Sequence, residues 1–295
     1  MTDRPDNAVA ERRAVLVISS HVVRGSVGNR AAVFALETLG HPVWALPTVL
    51  LPWHPGHGPA TRSVIPQADF SAMVDDLCAA PWLDEVGAVL SGYLGRPEQA
   101  ADIGRLVDAV RARNDDTLYL CDPVIGDEGG LYVPTETAAA IRDELVPRAS
   151  IATPNRYELQ WLQGGDLDDV PAMLRAAGTL GPWRVLVTSA PAMMSGSTGN
   201  VMLTGSRALM AEHREIPNPP NGLGDLTAAV FLAHIMNGKT DEKALQSATA
   251  SVFEILARTA KRGADELTLE SDAASLARPF AMVLMRHLSY QQQRA

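Results

Sequence analysis

Apolar residues fall along this chain in short continuous runs separated by longer stretches with helical spacing. Ala14-Val-Leu-Val-Ile18 is the clearest run, and an unbroken apolar stretch of that length predicts a β-strand covered on both faces. A helix through Leu39 follows, ended by Gly40. Residues 42–46 then read as a strand, 69–79 as a helix, 86–90 as a strand, and 97–113 as a helix whose proline sits at the start, where a helix tolerates it. Further strands are predicted at 117–121, 150–152 and 184–188, a helix at 169–177 and a hairpin at 200–212. A helix is predicted over 226–236, and helices over 241–259 and 272–288 close the chain. Strands alternate with helices throughout, without repeats or heptads, which predicts an α/β fold with a doubly wound, mostly parallel sheet and helices on both faces.

One stretch breaks this rhythm. Residues 47–66 are rich in Pro, Gly and His and include Trp53, His54 and His57. A loop this long in a compact domain is functional or disordered. Prolines around the histidines, Pro52 and Pro55, hold the chain extended and no carboxylate stands near, so a flap over a substrate fits better than a metal cluster.

Composition narrows the partners. The 295 residues, 46% hydrophobic, suffice for a single domain over 14–295 behind a flexible polar tail, 1–13. The net charge of −9, without clusters of Lys and Arg, argues against nucleic acid or an anionic membrane. The apolar run 14–18 is too short for a signal peptide or a membrane span, which gives a cytoplasmic expectation. Cys78 and Cys121 lack the spacing of a disulfide framework or zinc site.

The densest candidate chemistry is Asn221-Gly-Leu-Gly-Asp225, directly before the apolar helix. Gly222 and Gly224 remove Cβ atoms where the backbone bends and nears a ligand. The first N–H groups of the helix predicted from Leu226 are unpaired, and the positive end of its dipole faces the turn. That combination makes an anion site. A carboxylate beside a bound phosphate is a poor phosphate ligand and a good base, although an aspartate there can also simply cap the helix.

Other polar groups gather at strand ends, where open parallel sheets present ligand contacts. Ser20 and His21 follow the first strand; their loop has neither a dinucleotide fingerprint nor a P-loop pattern. Asp122, Asp127 and Glu128 follow the strand at 117–121 and suit Mg²⁺ held largely through water and phosphate; the alternative, a plain Asp/Gly turn, fits Asp127 and Glu128 better than Asp122. Asn155 and Glu158 lie three apart, on one face of a first helical turn, placed either to support a metal or to form a capping box.

These residues also carry a resemblance. Ser20-His-Val-Val, Gly28-Asn29, Thr48-Val, Ser91-Gly-Tyr-Leu-Gly95, Cys121-Asp-Pro-Val-Ile-Gly126, Thr153-Pro-Asn-Arg-Tyr-Glu-Leu159, Val187-Thr-Ser189, Gly222-Leu-Gly-Asp-Leu-Thr227 and Ala250-Ser-Val-Phe-Glu-Ile255 occur in this order. In them the chain resembles the pyridoxal kinases of the ribokinase-like superfamily, particularly the bacterial Y type. The resemblance implies transfer of the ATP γ-phosphoryl group to the 5′-hydroxyl of pyridoxal, by a cytoplasmic homodimer that uses Mg²⁺ and a monovalent cation, K⁺ or Na⁺. It implies Asp225 as the base, with Gly222 and Gly224 in the anion hole, and Ser20, Thr48, His54 and Tyr93 around the pyridine ring. Asp122, Thr188, Gly222, Leu223 and Gly224 are implied on the nucleotide side, and Asp122, Asn155 and Glu158 at the metal.

Residues 190–199 have no counterpart in that pattern. Two alternatives share most of it. A hydroxymethylpyrimidine-type kinase would differ in the ring pocket, and a vitamin B6 carrier would need the pocket but no base, so Asp225 and its glycines speak against the carrier.

Overall fold

The computed structural model describes residues 12–290; positions 1–11 of the expected tail lie outside them. In the first strand, β1 (Ala14–Val22), Leu16 and Ile18 enter one hydrophobic core while Val15 and Val17 enter a second on the opposite face. Side chains alternate along a strand, so a strand covered on both sides must be apolar throughout.

Helix α1 (Asn29–Thr38) returns the chain to β2 (Val43–Leu51), parallel to β1, and β3 (Ser63–Val64) folds back antiparallel on β2. On the other side of β1 come α2 (Gln67–Ala79), β4 (Val86–Ser91), α3 (Glu98–Arg113) and β5 (Leu118–Cys121). A small hairpin of β6 (Gly126–Asp127) and β7 (Gly130–Leu131) stands off the main sheet. It leads into α4 (Thr135–Ala140), β8 (Ile151–Ala152), α5 (Arg156–Gln163) and α6 (Val170–Thr179). Strands β9 (Arg184–Pro191), β10 (Ser197–Thr204) and β11 (Arg207–Arg214) precede α7 (Leu223–Met236), α8 (Asp241–Arg262), α9 (Ala273–Ala277) and β12 (Leu284–Leu288).

Together they build a ten-stranded sheet in the order β12-β11-β10-β9-β8-β5-β4-β1-β2-β3, parallel from β9 to β2 and antiparallel at both margins. The cores place α2 through α6 on one face and α1, α7, α8 and α9 on the other. Helix α7 is apolar around its whole circumference because it is buried on all sides, from Leu226 to His234.

Four elements differ from the sequence reading. The helix predicted over 272–288 is only α9 followed by β12: Pro279 cannot continue a helix, and the chain leaves it extended to pair with β11 from Glu212↔Leu284 to Ala208↔Leu288. Strand β2 runs on through Pro47 to Leu51, so the flap begins at residue 52. Pro47 has no N–H to donate, and the β1–β2 register slips just beyond the Ser19↔Pro47 pair. The hairpin predicted at 200–212 spans 197–214, and 190–199 holds the end of β9, the turn at 192–196 and the start of β10, with Thr198↔Pro191 and Gly199↔Ala190 paired. Residues 135–148, assigned no element from sequence, are helical.

Candidate active site

The carboxyl ends of β1, β4, β5, β8 and β9 open on one edge of the sheet, and the start of α7 faces them. Gly222 caps α7 with φ 94°, a left-handed conformation, and a Cβ there would stand 2.2 Å from the Ser26 carbonyl oxygen. Only glycine meets both conditions. No side chain caps α7, so its first N–H groups remain available. At Gly224 a Cβ would meet no protein atom within 4 Å. The space in front of the turn is therefore open for a ligand.

Asp225 occupies the third helical position. Burial raises its carboxyl to about 6, against the opposing pull of the Gly28 N–H and its own N–H. Asp122, buried at the end of β5, accepts from the Thr153 hydroxyl at 2.9 Å. Burial and the charges of Glu158 and Asp225 drive its carboxyl well above the ordinary range. None of the three carboxylates forms a salt bridge among the described residues, so negative charge converges here without a protein cation.

Asn155 and Glu158 form a full capping box at the start of α5. Glu158 also reaches out of its helix. Its Oε2 accepts from the Asn155 N–H at 2.9 Å, and its Oε1 from the N–H of Ile125 at 2.8 Å and of Gly126 at 3.4 Å. Asn155 Nδ2 donates to the Gly126 carbonyl at 2.8 Å. Burial lifts the Glu158 carboxyl to about 7 although these N–H groups hold it down. The cap and metal-side readings thus meet in one residue pair, and both side chains are spent on backbone.

Beside the turn lies a cleft of about 420 Å³ lined by Leu223, Gly224, Thr227, Thr188, Ser189 and Asn155. Three expected nucleotide positions, Thr188, Leu223 and Gly224, share it. Its far wall carries His213 stacked on Phe253, ring centroids 4.6 Å apart. Burial lowers the His213 pKa and keeps the ring neutral. Sequence reasoning missed His213 because its strand neighbours are decided by the β10–β11 register.

Of the residues expected around the ring, Ser20 lies on β1, Thr48 on β2 and Tyr93 just past β4. Thr48, fully buried, donates its hydroxyl to the Tyr93 carbonyl at 2.7 Å, and Tyr93 N–H donates to Ser19 Oγ at 3.1 Å. Thr48 therefore fixes the 91–95 loop. Ser20 packs under Gly28, where a Cβ would come within 2.4 Å of the serine Oγ. His54 accepts from the Gly56 N–H at 3.0 Å, capping a short turn, and burial lowers its pKa. Two flap residues not singled out for the ring pocket also stand out. Arg62 reaches the Tyr93 hydroxyl at 3.3 Å and the Gly95 carbonyl at 2.9 Å. His57 meets Glu266 at 2.7 Å, tying the flap to the loop after α8.

Over residues 72–270 the chain matches the family described as phosphomethylpyrimidine kinase, a class of small-molecule kinases. It is 39% identical over 272 residues to pyridoxal kinase PdxY of Rubrobacter xylanophilus, covering 90% of this chain and 94% of the relative. To PdxY of Granulibacter bethesdensis it is 38% identical over 263 residues, covering 86% and 92%. The fold superposes on pyridoxal kinase from Leishmania donovani in complex with ADP and pyridoxamine with a TM-score of 0.87 at 28% identity, covering 94% of this chain and 99% of that one. The chain belongs to the PdxY family of pyridoxal kinases.

Proposed function

We propose that the protein is an ATP-dependent pyridoxal kinase, transferring the γ-phosphoryl group to the 5′-hydroxyl of pyridoxal to give pyridoxal 5′-phosphate. The observation that carries this reading is the start of α7, where an uncapped helix end opens beside a cleft and places Asp225 next to its free N–H groups. Phosphoryl transfer is mostly positioning and charge stabilisation. Asp225, ionised, accepts the proton of the attacking hydroxyl, while the N–H groups of Gly222, Leu223 and Gly224 receive the charge of the migrating phosphoryl. Ser20, Thr48, His54 and Tyr93 orient the ring, and the cleft at Thr188 holds the nucleotide.

Mg²⁺ fits the donor set. Asp122, Glu158 and Asp225 bring negative charge without a basic partner, and among the described residues no three His, Cys, Asp or Glu side chains form a site of their own. Water and phosphate oxygens would complete its coordination, as Mg²⁺ prefers. Asp122 would hold it. Asn155 and Glu158 act on it through the backbone they hold. Bound there, the ion would neutralise charge on the phosphate oxygens. A monovalent cation, K⁺ or Na⁺, belongs to the same edge. A cytoplasmic homodimer is part of the proposal, and sedimentation velocity tests its dimeric state. No helix among the described residues is long and apolar enough to cross a membrane.

The testing experiment follows product formation with ATP and Mg²⁺, comparing pyridoxal with hydroxymethylpyrimidine. Faster turnover of pyridoxal supports the reading. Preference for hydroxymethylpyrimidine assigns the sibling activity, and pyridoxal binding without turnover makes the protein a carrier.

A further inference from the structure

The flap and the loop behind the anion turn meet on one carboxylate. Glu266 follows α8 in a segment whose Leu267 and Leu269 are buried in the second core, so its backbone is anchored, and only 12% of its side chain is exposed. Its Oε1 pairs with His57 Nε2 of the flap at 2.7 Å, and its Oε2 accepts from the Ser26 N–H at 3.2 Å. Arg24 approaches Oε1 at 3.7 Å, although its nearer partner is Asp265 at 2.7 Å. The carboxylate fills the space that a side chain at position 25 would need, since a Cβ on Gly25 would stand 2.4 Å from Oε1. Ser26 is held a second time, by its hydroxyl to the Leu267 carbonyl at 3.0 Å, and its own carbonyl oxygen is the atom against which Gly222 packs. The flap turn Pro55–His57 meets the residue before that glycine, because a Cβ on Gly56 would stand 3.1 Å from Asn221 Nδ2.

We propose that Glu266 is a positioning residue for the kinase reaction: through Ser26 it holds the loop that shapes the Gly222 turn, and through His57 it seats the flap, so that flap and turn keep one fixed relation. The contact between Ser26 and Gly222 leaves no slack, so a shift of the loop shifts the N–H groups that receive the migrating phosphoryl, where an ångström of misplacement matters. Glu266 lies outside every segment that carries the sequence resemblance and acts only through the residues it holds. The inference rests on the kinase reading above, but the seating of loop and flap is read by hydrogen exchange without substrate.

The test compares wild type with His57→Phe, Glu266→Ala, the double variant and Glu266→Gln. In ligand-free protein His57→Phe is expected to speed exchange at the flap amides of Gly56, His57 and Gly58 only, and Glu266→Ala to speed it there and at Ser26, with the core strands at wild-type protection. Glu266→Ala is expected to lower kcat about 100-fold, the scale of an ångström of misplacement, and to weaken ADP binding. His57→Phe is expected to raise the KM for pyridoxal about tenfold, the scale of one charge-assisted hydrogen bond, and to leave ADP affinity unchanged. The double variant is expected to match Glu266→Ala in kcat/KM, because His57 acts through that carboxylate. Glu266→Gln is expected to keep most of kcat, since its amide oxygen can accept from Ser26 while its NH₂ group donates to an unprotonated nitrogen of His57. Should Glu266→Ala be insoluble, Glu266→Asp, which withdraws the oxygens from Ser26 and His57, takes its place. Wild-type exchange at Ser26, wild-type kcat and ADP affinity in the folded variant, additive effects of the two substitutions, or a Glu266→Gln as impaired as Glu266→Ala overturns the proposal. A wild-type protein without pyridoxal turnover overturns the kinase reading instead, and exchange at Ser26 with ADP affinity then decides this one.

Discussion

Gly222 lies against Ser26 so closely that its missing side chain is a structural requirement: a Cβ would stand 2.2 Å from the serine carbonyl oxygen. Gly224, two residues on, touches nothing at its own Cβ position. Two glycines that look alike in sequence thus do different jobs, one shaping the turn and the other leaving room in front of it.

Alanine substitution separates them. Gly222→Ala is expected to lose about 1–3 kcal/mol of stability from its left-handed φ and the clash, read as a lower melting temperature. Gly224→Ala sits at an open helical position and is expected to be as stable as wild type, or more so by up to about 1 kcal/mol. It is also expected to bind ADP more weakly, because the methyl group occupies ligand space. Wild-type ADP affinity by calorimetry in Gly224→Ala would remove that glycine from the anion site.

Asp225→Asn removes the base and keeps the size. A positioned general base contributes about 10²- to 10⁴-fold, equivalent to about 3–5.5 kcal/mol of transition-state stabilisation. The expected result is a kcat lower by that factor with the KM for pyridoxal nearly unchanged, since the lost interaction belongs to the transition state. A variant as fast as wild type would make Asp225 a helix residue and nothing more.

The same carboxyl sets a pH dependence. With Asp225 raised to about 6, the active ionised form appears as pH rises through that value, so kcat/KM is expected to climb along an acidic limb near pH 6 that is absent in Asp225→Asn. Stability runs the other way. A carboxyl whose folded pKa is raised above its unfolded value contributes stability at low pH and loses it as pH rises through the folded pKa. The melting temperature of Asp225→Asn relative to wild type is therefore expected to rise between pH 4 and pH 7, and a constant difference across that range would contradict the raised pKa.

The flap between β2 and β3 rests on two anchors, His57 to Glu266 at 2.7 Å and Arg62 to the Gly95 carbonyl at 2.9 Å. If it closes on the substrate, hydrogen exchange over residues 52–62 should slow when pyridoxal and a nucleotide analogue bind together, because lids are drawn from the least stable parts of a fold. Identical exchange with and without saturating ligands would make the segment a static strap.

The sequence by itself determined the parts of this protein that depend on local pattern. A continuous apolar run announces a doubly covered strand, and Ala14–Ile18 does so before any neighbour is known. Glycines and an aspartate ahead of an all-apolar helix announce an anion turn, and Asn155 with Glu158 announces a capping box, since each involves residues a few positions apart. Only the tertiary structure decided what rests on distant pairing. Leu284–Leu288 became a strand because β11 offered an unpaired edge beyond Pro279, and Pro47 stayed within β2 because β1 slips register there. Glu158 found the N–H groups of Ile125 and Gly126 across 32 or more positions of chain. Spacing records what a residue can do for its near neighbours, whereas the partners that fix a buried carboxylate are chosen when the sheet closes around it.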